Sequence, residues 1–513
     1  MRTSRLVPAF VILLLGVLTN AIDASPVTSA LDYGPHPVGF RVVAEIDHSR
    51  SVQPRRSFDG QPATSNTAMA LDIGIWYPAD PGTSGTRMSA EAYKALRSPQ
   101  PRDAAVADFT RTAAFAGLAI SQDEAREALT TPARAVRDAK PASGKFPLVI
   151  SGSYHGTGWL RAEYLASHGY VVVAAPSSPR TATLQASRPD IALETQTRNL
   201  EFLFAFARQQ PFVDAERLGV IGVNFDGMAA LVFEMRNMKA DAVISLDGYE
   251  AKAGNITTVR RSPFFDPVRL RVPYLLFVQD EPDAGPALAH DRAIWNELRY
   301  SRRFWYVLRN FNHGQLISDV ANAPNLSAEQ VSGHLFILRT MRLVLDAYLK
   351  GDATAAATLA KPATENGLPA ALAKTADARD ALPPVPTGEE FEALITSGSI
   401  GRATQIFRTA KAANPELQLF DEPTIGLFAF RYAQRKLVKE TYEVRALGAE
   451  AFPQSPTAAY QLGIAAVDAG HPAEARSSFE RALTLLTAGN APAAEREEIR
   501  RDIAKRLASL ANR

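Results

Sequence analysis

The sequence predicts an α/β fold, a mostly parallel sheet with flanking helices, followed by a small all-α helical-repeat domain. Three observations carry that prediction. Short continuous apolar runs recur from Phe146 onward with helical patterns between them, the texture of strands buried on both faces and joined by crossover helices. One of these runs passes through a tight, glycine-flanked turn into a helix. Beyond residue 389 a small-large-small spacing recurs, which lets paired helices pack closely.

Bulk properties narrow the function classes. At 513 residues the chain exceeds one ordinary domain. Its 46% apolar and 21% charged residues give a globular protein with ample core. A net charge of +2 with no basic stripe leaves no footprint for nucleic acid. The absence of cysteine excludes disulfides, thiolate nucleophiles, cysteine-rich zinc sites and lipid attachment at a lipobox cysteine. No metal or organic cofactor is implied.

Residues 1–24 read as a signal peptide. Arg2 and Arg5 precede an apolar stretch from Leu6 to Leu18, and small residues around Ala21 or Ala24 offer cleavage points. The stretch is short for a bilayer, so no stable membrane span is expected after signal removal; a retained N-terminal anchor is the alternative. Export to the periplasm or the extracellular space is the expectation. A large exported domain without disulfides suits a bacterial periplasm better than a eukaryotic secretory route.

Residues 30–350 form the predicted main domain. Val38-Gly39-Phe40-Arg41-Val42-Val43 and Ala70 to Pro78 read as two strands of a hairpin-like start. Residues 89–140 are Ala-rich and helical in pattern, an insertion over the core. Six core strands then follow, containing Pro147–Ile150, Tyr170–Ala174, Leu218–Gly222, Ala242–Leu246, Tyr274–Val278 and Phe304–Leu308. Residues 351–388, rich in Ala, Pro and Thr without a period, read as a partly helical linker. In residues 389–513, Ala403, Phe407, Ala410 and Pro415 share their spacing with Ala475, Phe479 and Ala482. Phe428, Ala429 and Tyr432 form a weaker intermediate unit. A generic helical bundle is the plainer alternative to repeats.

In an open parallel sheet, ligands bind beyond the carboxyl ends of the strands. Gly222-Val223-Asn224-Phe225-Asp226-Gly227 lies at such an end, in the strand-turn-helix setting of a G-x-S-x-G nucleophile elbow. Asn224 occupies the nucleophile position and Asp226 the second glycine's. A carboxamide is a poor nucleophile because its nitrogen lone pair is delocalised. Asp247 closes the next strand and can orient a histidine as a triad acid does. His313, in the loop after the last core strand, stands where a general base belongs, so chain order reads nucleophile position, acid, base. The Gly-rich segment from Ser151 to Trp159, with Ser153, Tyr154, His155 and Gly156, can aim backbone N–H groups at an oxyanion. Phe225, next to the elbow apex, is grouped with that pocket.

Phe146 to Pro176, with its His-Gly turn, together with Val38-Gly39-Phe40 and Trp76-Tyr77-Pro78, resembles dienelactone hydrolase-like and platelet-activating-factor acetylhydrolase-like members of the α/β-hydrolase superfamily. The resemblance covers about residues 33–350. It implies an oxyanion segment at Ser153–Gly158, the nucleophile position at Asn224, the acid at Asp247 and the base at His313. In the dienelactone hydrolase branch the acid sits one strand later, where Asp280 and Asp283 stand here. The C-terminal spacing resembles tetratricopeptide repeats.

Three functions fit these residues. The first is a carboxylic-ester hydrolase scaffold, weakly active or inactive, that binds a small acyl or ester ligand. The second is an active hydrolase using Asp226 as nucleophile or a water activated by His313. The third is a protein that recruits a protein partner through its C-terminal repeats. Loss of a triad nucleophile costs on the order of a million-fold in rate, so the residue at 224 divides the first two.

Overall fold

The structure, a computed structural model, describes residues 25–51, 68–97, 99–152, 158–175, 184–280, 293–488 and 493–511. The signal segment 1–24 lies outside the described residues. The chain divides into two compact units, residues 1–380 and 381–513.

Unit 1 is built on one sheet of eleven strands: β1 (Val38–Ser51), β2 (Ala68–Pro78), β3 (Arg87–Ser89), β4 (Pro132–Arg137), β5 (Phe146–Ser151), β6 (Val171–Ala174), β7 (Val213–Val223), β8 (Ala242–Leu246), β9 (Tyr274–Val278), β10 (Arg303–Leu308) and β11 (Ala373–Arg379). They lie in the order β11-β10-β9-β8-β7-β5-β6-β2-β1-β4-β3. β5 through β10 pair in parallel with one another, while β2 runs against both β1 and β6. The run from β1 to β10, with its antiparallel second strand and the exchange of β5 and β6, is the α/β-hydrolase sheet. The expected hairpin start is β1 with β2.

Alternation explains why the central strands read as unbroken apolar runs. Within β5, Val149 packs into the core on one face and Leu148 and Ile150 into the core on the other. Both faces are covered by helices, so apolar and polar residues do not alternate along the strands. One face carries the helices Trp159–Ser167 and Ala328–Leu349; the other carries Pro189–Ala207 and Asp226–Asn237.

The sheet is wider than the eight strands expected. The Ala-rich insertion forms helices Ala90–Arg97, Arg102–Phe115 and Gln122–Thr130, then ends in β4, which pairs with β1. The stretch 351–388, expected as a linker, contains the helix Ala353–Leu359 and then β11, antiparallel to β10 from Arg303↔Arg379 to Leu308↔Ala373. Short, poorly β-prone residues suffice there because an edge strand needs only backbone pairing along one side.

Among the described residues the regular elements of unit 2 are all helices: Gly388–Thr396, Ile400–Ala413, Glu422–Gln434, Val438–Ala451, Pro456–Asp468, Pro472–Ala488 and Ala493–Ala511. From Glu422–Gln434 onward each helix packs on the next, while Ile400–Ala413 packs on Gly388–Thr396 and Val438–Ala451. The spaced residues are its core: Ala403, Phe407 and Ala410, and again Ala475, Phe479 and Ala482, are buried. Gly463 is required by its partner, since a Cβ there would lie 2.5 Å from the Phe479 ring. No helix among the described residues is long and apolar enough to cross a membrane.

Candidate active site

β7 is central in the sheet and runs directly into the helix Asp226–Asn237 through Asn224 and Phe225. Asn224 has φ +57°, the left-handed conformation that Asn tolerates better than most L residues. The bend is held from three sides. Asn224 N–H donates to Leu246 O at 3.0 Å, and its own carbonyl accepts from Gly227 N–H at 3.1 Å and Tyr249 N–H at 3.1 Å. Gly222 admits no side chain, because a Cβ would come within 2.4 Å of the Asp226 carbonyl oxygen. Gly227 is equally closed, 2.3 Å from a Glu250 carboxyl oxygen. The turn is therefore a strand-to-helix elbow whose apex is Asn224.

Position 226, where the elbow motif has glycine, is filled by a carboxylate that another glycine accommodates. Asp226 is 2% exposed, and a Cβ on Gly152 would meet its Cγ at 3.1 Å. Beneath the turn Glu250 is also buried, accepting from Tyr274 Oη at 2.7 Å and from the Ser245 hydroxyl. Burial holds its carboxyl above the ordinary range.

Asp247 follows β8 with φ +46° and its side chain fully buried. Its Oδ2 meets His313 Nδ1 directly. Its Oδ1 accepts from Gln279 N–H at 2.9 Å, and Gln279 Oε1 in turn accepts the His313 backbone N–H at 3.1 Å. Gln279 thus ties the two halves of the pair together from the end of β9. Lys252 Nζ lies 3.3 Å from Asp247 Oδ2. His313 opens the short helix His313–Ile317, capped by Asn312, rather than sitting in open loop. With Nδ1–H donated to Asp247, Nε2 is the basic nitrogen and accepts nothing among the described residues.

The remaining candidates fall into place around this pair. Asp280 does not meet His313; it pairs with Lys374 and accepts Asn310 N–H at 2.9 Å, which fastens the β9 end to β11. Asp283 lies outside the described residues, as do Ser153, Tyr154, His155 and Gly156. The glycine turn re-enters at Gly158, whose N–H donates to Asp319 Oδ1 and which begins the helix Trp159–Ser167 with φ +88°. Burial pushes the Asp319 carboxyl up to about 7 against the pull of that N–H and of Arg161.

Phe225, buried at 3%, lies edge-on to Tyr249 at 6.1 Å, and Tyr249 is 6.4 Å from the His313 ring. Phe115, from the insertion, stands edge-on to His313 at 6.0 Å and is 57% exposed. Sequence reading passes over Phe115, Tyr249, Lys252, Gln279 and Asp319, because no motif separates them from ordinary surface and core residues.

Asn224 Oδ1 is buried with no hydrogen-bond donor among the described residues. A buried acceptor left so costs about 1–3 kcal/mol, which a donor on a bound molecule or water would recover. Fold and site together define the class: an α/β-hydrolase fold with an aspartate–histidine pair and a carboxamide at the elbow. No protein-family model matches the chain, and no curated protein matches it. Among solved structures, a ferulic acid esterase from Streptomyces cinnamoneus aligns over 68% of this chain and 98% of its own, with 19% identity and a TM-score of 0.46. The fold assignment rests on the strand order and the elbow, not on that likeness.

Proposed function

We propose that unit 1 descends from carboxylic-ester hydrolases and has given up their nucleophile, so that it binds a small acyl or ester ligand with little or no turnover. The observation that carries this reading is Asn224 at φ +57° on the elbow apex. The amide cannot form the acyl-enzyme that a serine forms there. The unsatisfied Oδ1 supports a binding role, since it waits for a donor. Export by residues 1–24 and a tetratricopeptide-like role for unit 2 in recruiting a protein partner belong to the same proposal.

A second reading is favoured by one feature: the Asp247–His313 contact is intact and Nε2 is free to take a proton. His313 would then activate water directly, with Asn224 orienting it. Asp226 is less suited to a nucleophile's role, since it sits in the first helical turn under Gly152.

Hydrolysis of short p-nitrophenyl esters separates the two. Under the first reading the parent protein shows no turnover above background, and Asn224→Ser creates esterase activity on the order of a thousandfold or more above it. Parent turnover that His313→Ala abolishes would establish the second reading instead. An Asn224→Ser variant that folds but stays inert would sink the hydrolase ancestry of the site.

A further inference from the structure

A cavity in unit 1, of about 530 Å³, is lined by neither Asn224, Asp247 nor His313. Its walls come from the segment before β1, the turn between β2 and β3, β4, and the helix that starts at Trp159. Two polar atoms of its lining residues are buried and unpartnered among the described residues. Asn322 is 1% exposed and spends Nδ2 on Ala128 O at 2.6 Å, which leaves Oδ1 with no donor. Thr83 Oγ1 has no partner either. Both atoms call for hydroxyl or amine groups on whatever fills the space.

The mouth has the opposite need. Arg87 and Arg134 are exposed and form no ion pair among the described residues; Arg134 is steadied by the Tyr33 ring, 3.7 Å away. Glu163, fully buried in the wall, lies within electrostatic reach of Arg134 and offsets part of its charge, while burial holds the Glu163 carboxyl up at about 7. Its oxygens are taken by Tyr93 Oη at 2.7 Å, Arg134 N–H at 2.8 Å and Ala135 N–H at 3.1 Å, which fix the strand that carries Arg134. Two exposed guanidinium groups with no close ion pair among the described residues, beside unpartnered hydroxyl-seeking atoms, match a small ligand that is anionic at one end and polyhydroxylated at the other. The volume is that of an ordinary small-molecule site.

We propose that this cavity is a binding site for a sugar acid, the carboxylate held by Arg87 and Arg134 and the ring hydroxyls by Asn322 and Thr83. It is independent of the reading given for Asn224. Calorimetric titration of the full-length protein with D-glucuronate, D-glucose and inorganic phosphate tests it. D-glucuronate binds at least about tenfold more tightly than D-glucose, because only it can pair the arginines, and more tightly than phosphate, which offers nothing to the floor.

The double variant Arg87→Gln/Arg134→Gln loses about tenfold or more in glucuronate affinity. Thr83→Val weakens binding without lowering the melting temperature, since that hydroxyl has no partner to lose. His313→Ala leaves the affinity unchanged. Equal binding of glucose and glucuronate, phosphate binding as tightly as glucuronate, no glucuronate binding at millimolar concentration, or indifference to the arginine substitutions would each overturn the proposal. So would loss of glucuronate binding in His313→Ala, which would move the ligand to the elbow.

Discussion

Asn224, Gly222 and Gly227 act as one unit. The elbow reverses the chain so tightly that the Asp226 carbonyl lies where a Cβ on residue 222 would be, at 2.4 Å. Gly222→Ala must therefore shift backbone rather than a flexible side chain. It is expected to cost about 1–3 kcal/mol, read as a lower denaturant midpoint, and to remove any activity created by Asn224→Ser. Asp247 serves the same centre by holding Nδ1 of His313. In the Asn224→Ser background, Asp247→Asn should lower kcat/KM by roughly a thousandfold or more, with little change in stability from Gln279, whose N–H still finds an oxygen. A small effect would mean that the histidine is oriented by something other than this carboxylate.

Among the elements, the helix Asp226–Asn237 carries a pH signature. Glu234 is 2% exposed near its C-terminus, and its Oε2 accepts Lys239 N–H at 3.0 Å and Ala240 N–H at 2.8 Å. Burial outweighs those bonds and holds the carboxyl at about 7, above the ordinary 4.5. The native state therefore keeps a proton that the unfolded chain has already released. Stability from this group is fully present below about 4.5 and is lost as the pH rises through about 7. Glu234→Gln retains an oxygen for both N–H groups and carries no titration. It should flatten the fall in stability between pH 5 and 8 by about 3 kcal/mol, measured as unfolding free energy against pH. An unchanged slope would mean that Glu234 stays ionised in the native state.

At the scale of the whole molecule, the boundary at Asp380 matters because of β11. That strand covers the outer edge of β10, which is otherwise a row of buried apolar residues with unpaired backbone groups. Truncation after Asp380 is expected to leave a soluble unit with a cooperative melt. Truncation after Lys350 removes β11 and the Lys374–Asp280 pair, and should yield aggregation in gel filtration. Equal behaviour of the two fragments would show that β10 needs no cover.

Sequence alone determined the central architecture and the order of the candidate site residues. The apolar runs of β5 to β10 are legible because both faces of those strands are buried, and the elbow is legible because only certain residues fit so sharp a turn. The helical hairpins of unit 2 follow from the same logic, through Ala475, Phe479 and Ala482. Tertiary structure decided what depends on neighbours distant in the chain. It chose Asp247 over Asp280 as the partner of His313, turned part of an Ala-rich segment into β11, and brought Phe115 to the imidazole, Gln279 to the His313 backbone and Lys252 to Asp247. Burial patterns repeat locally and so leave a mark in sequence; a hydrogen bond between residues dozens of positions apart leaves none until the chain has folded.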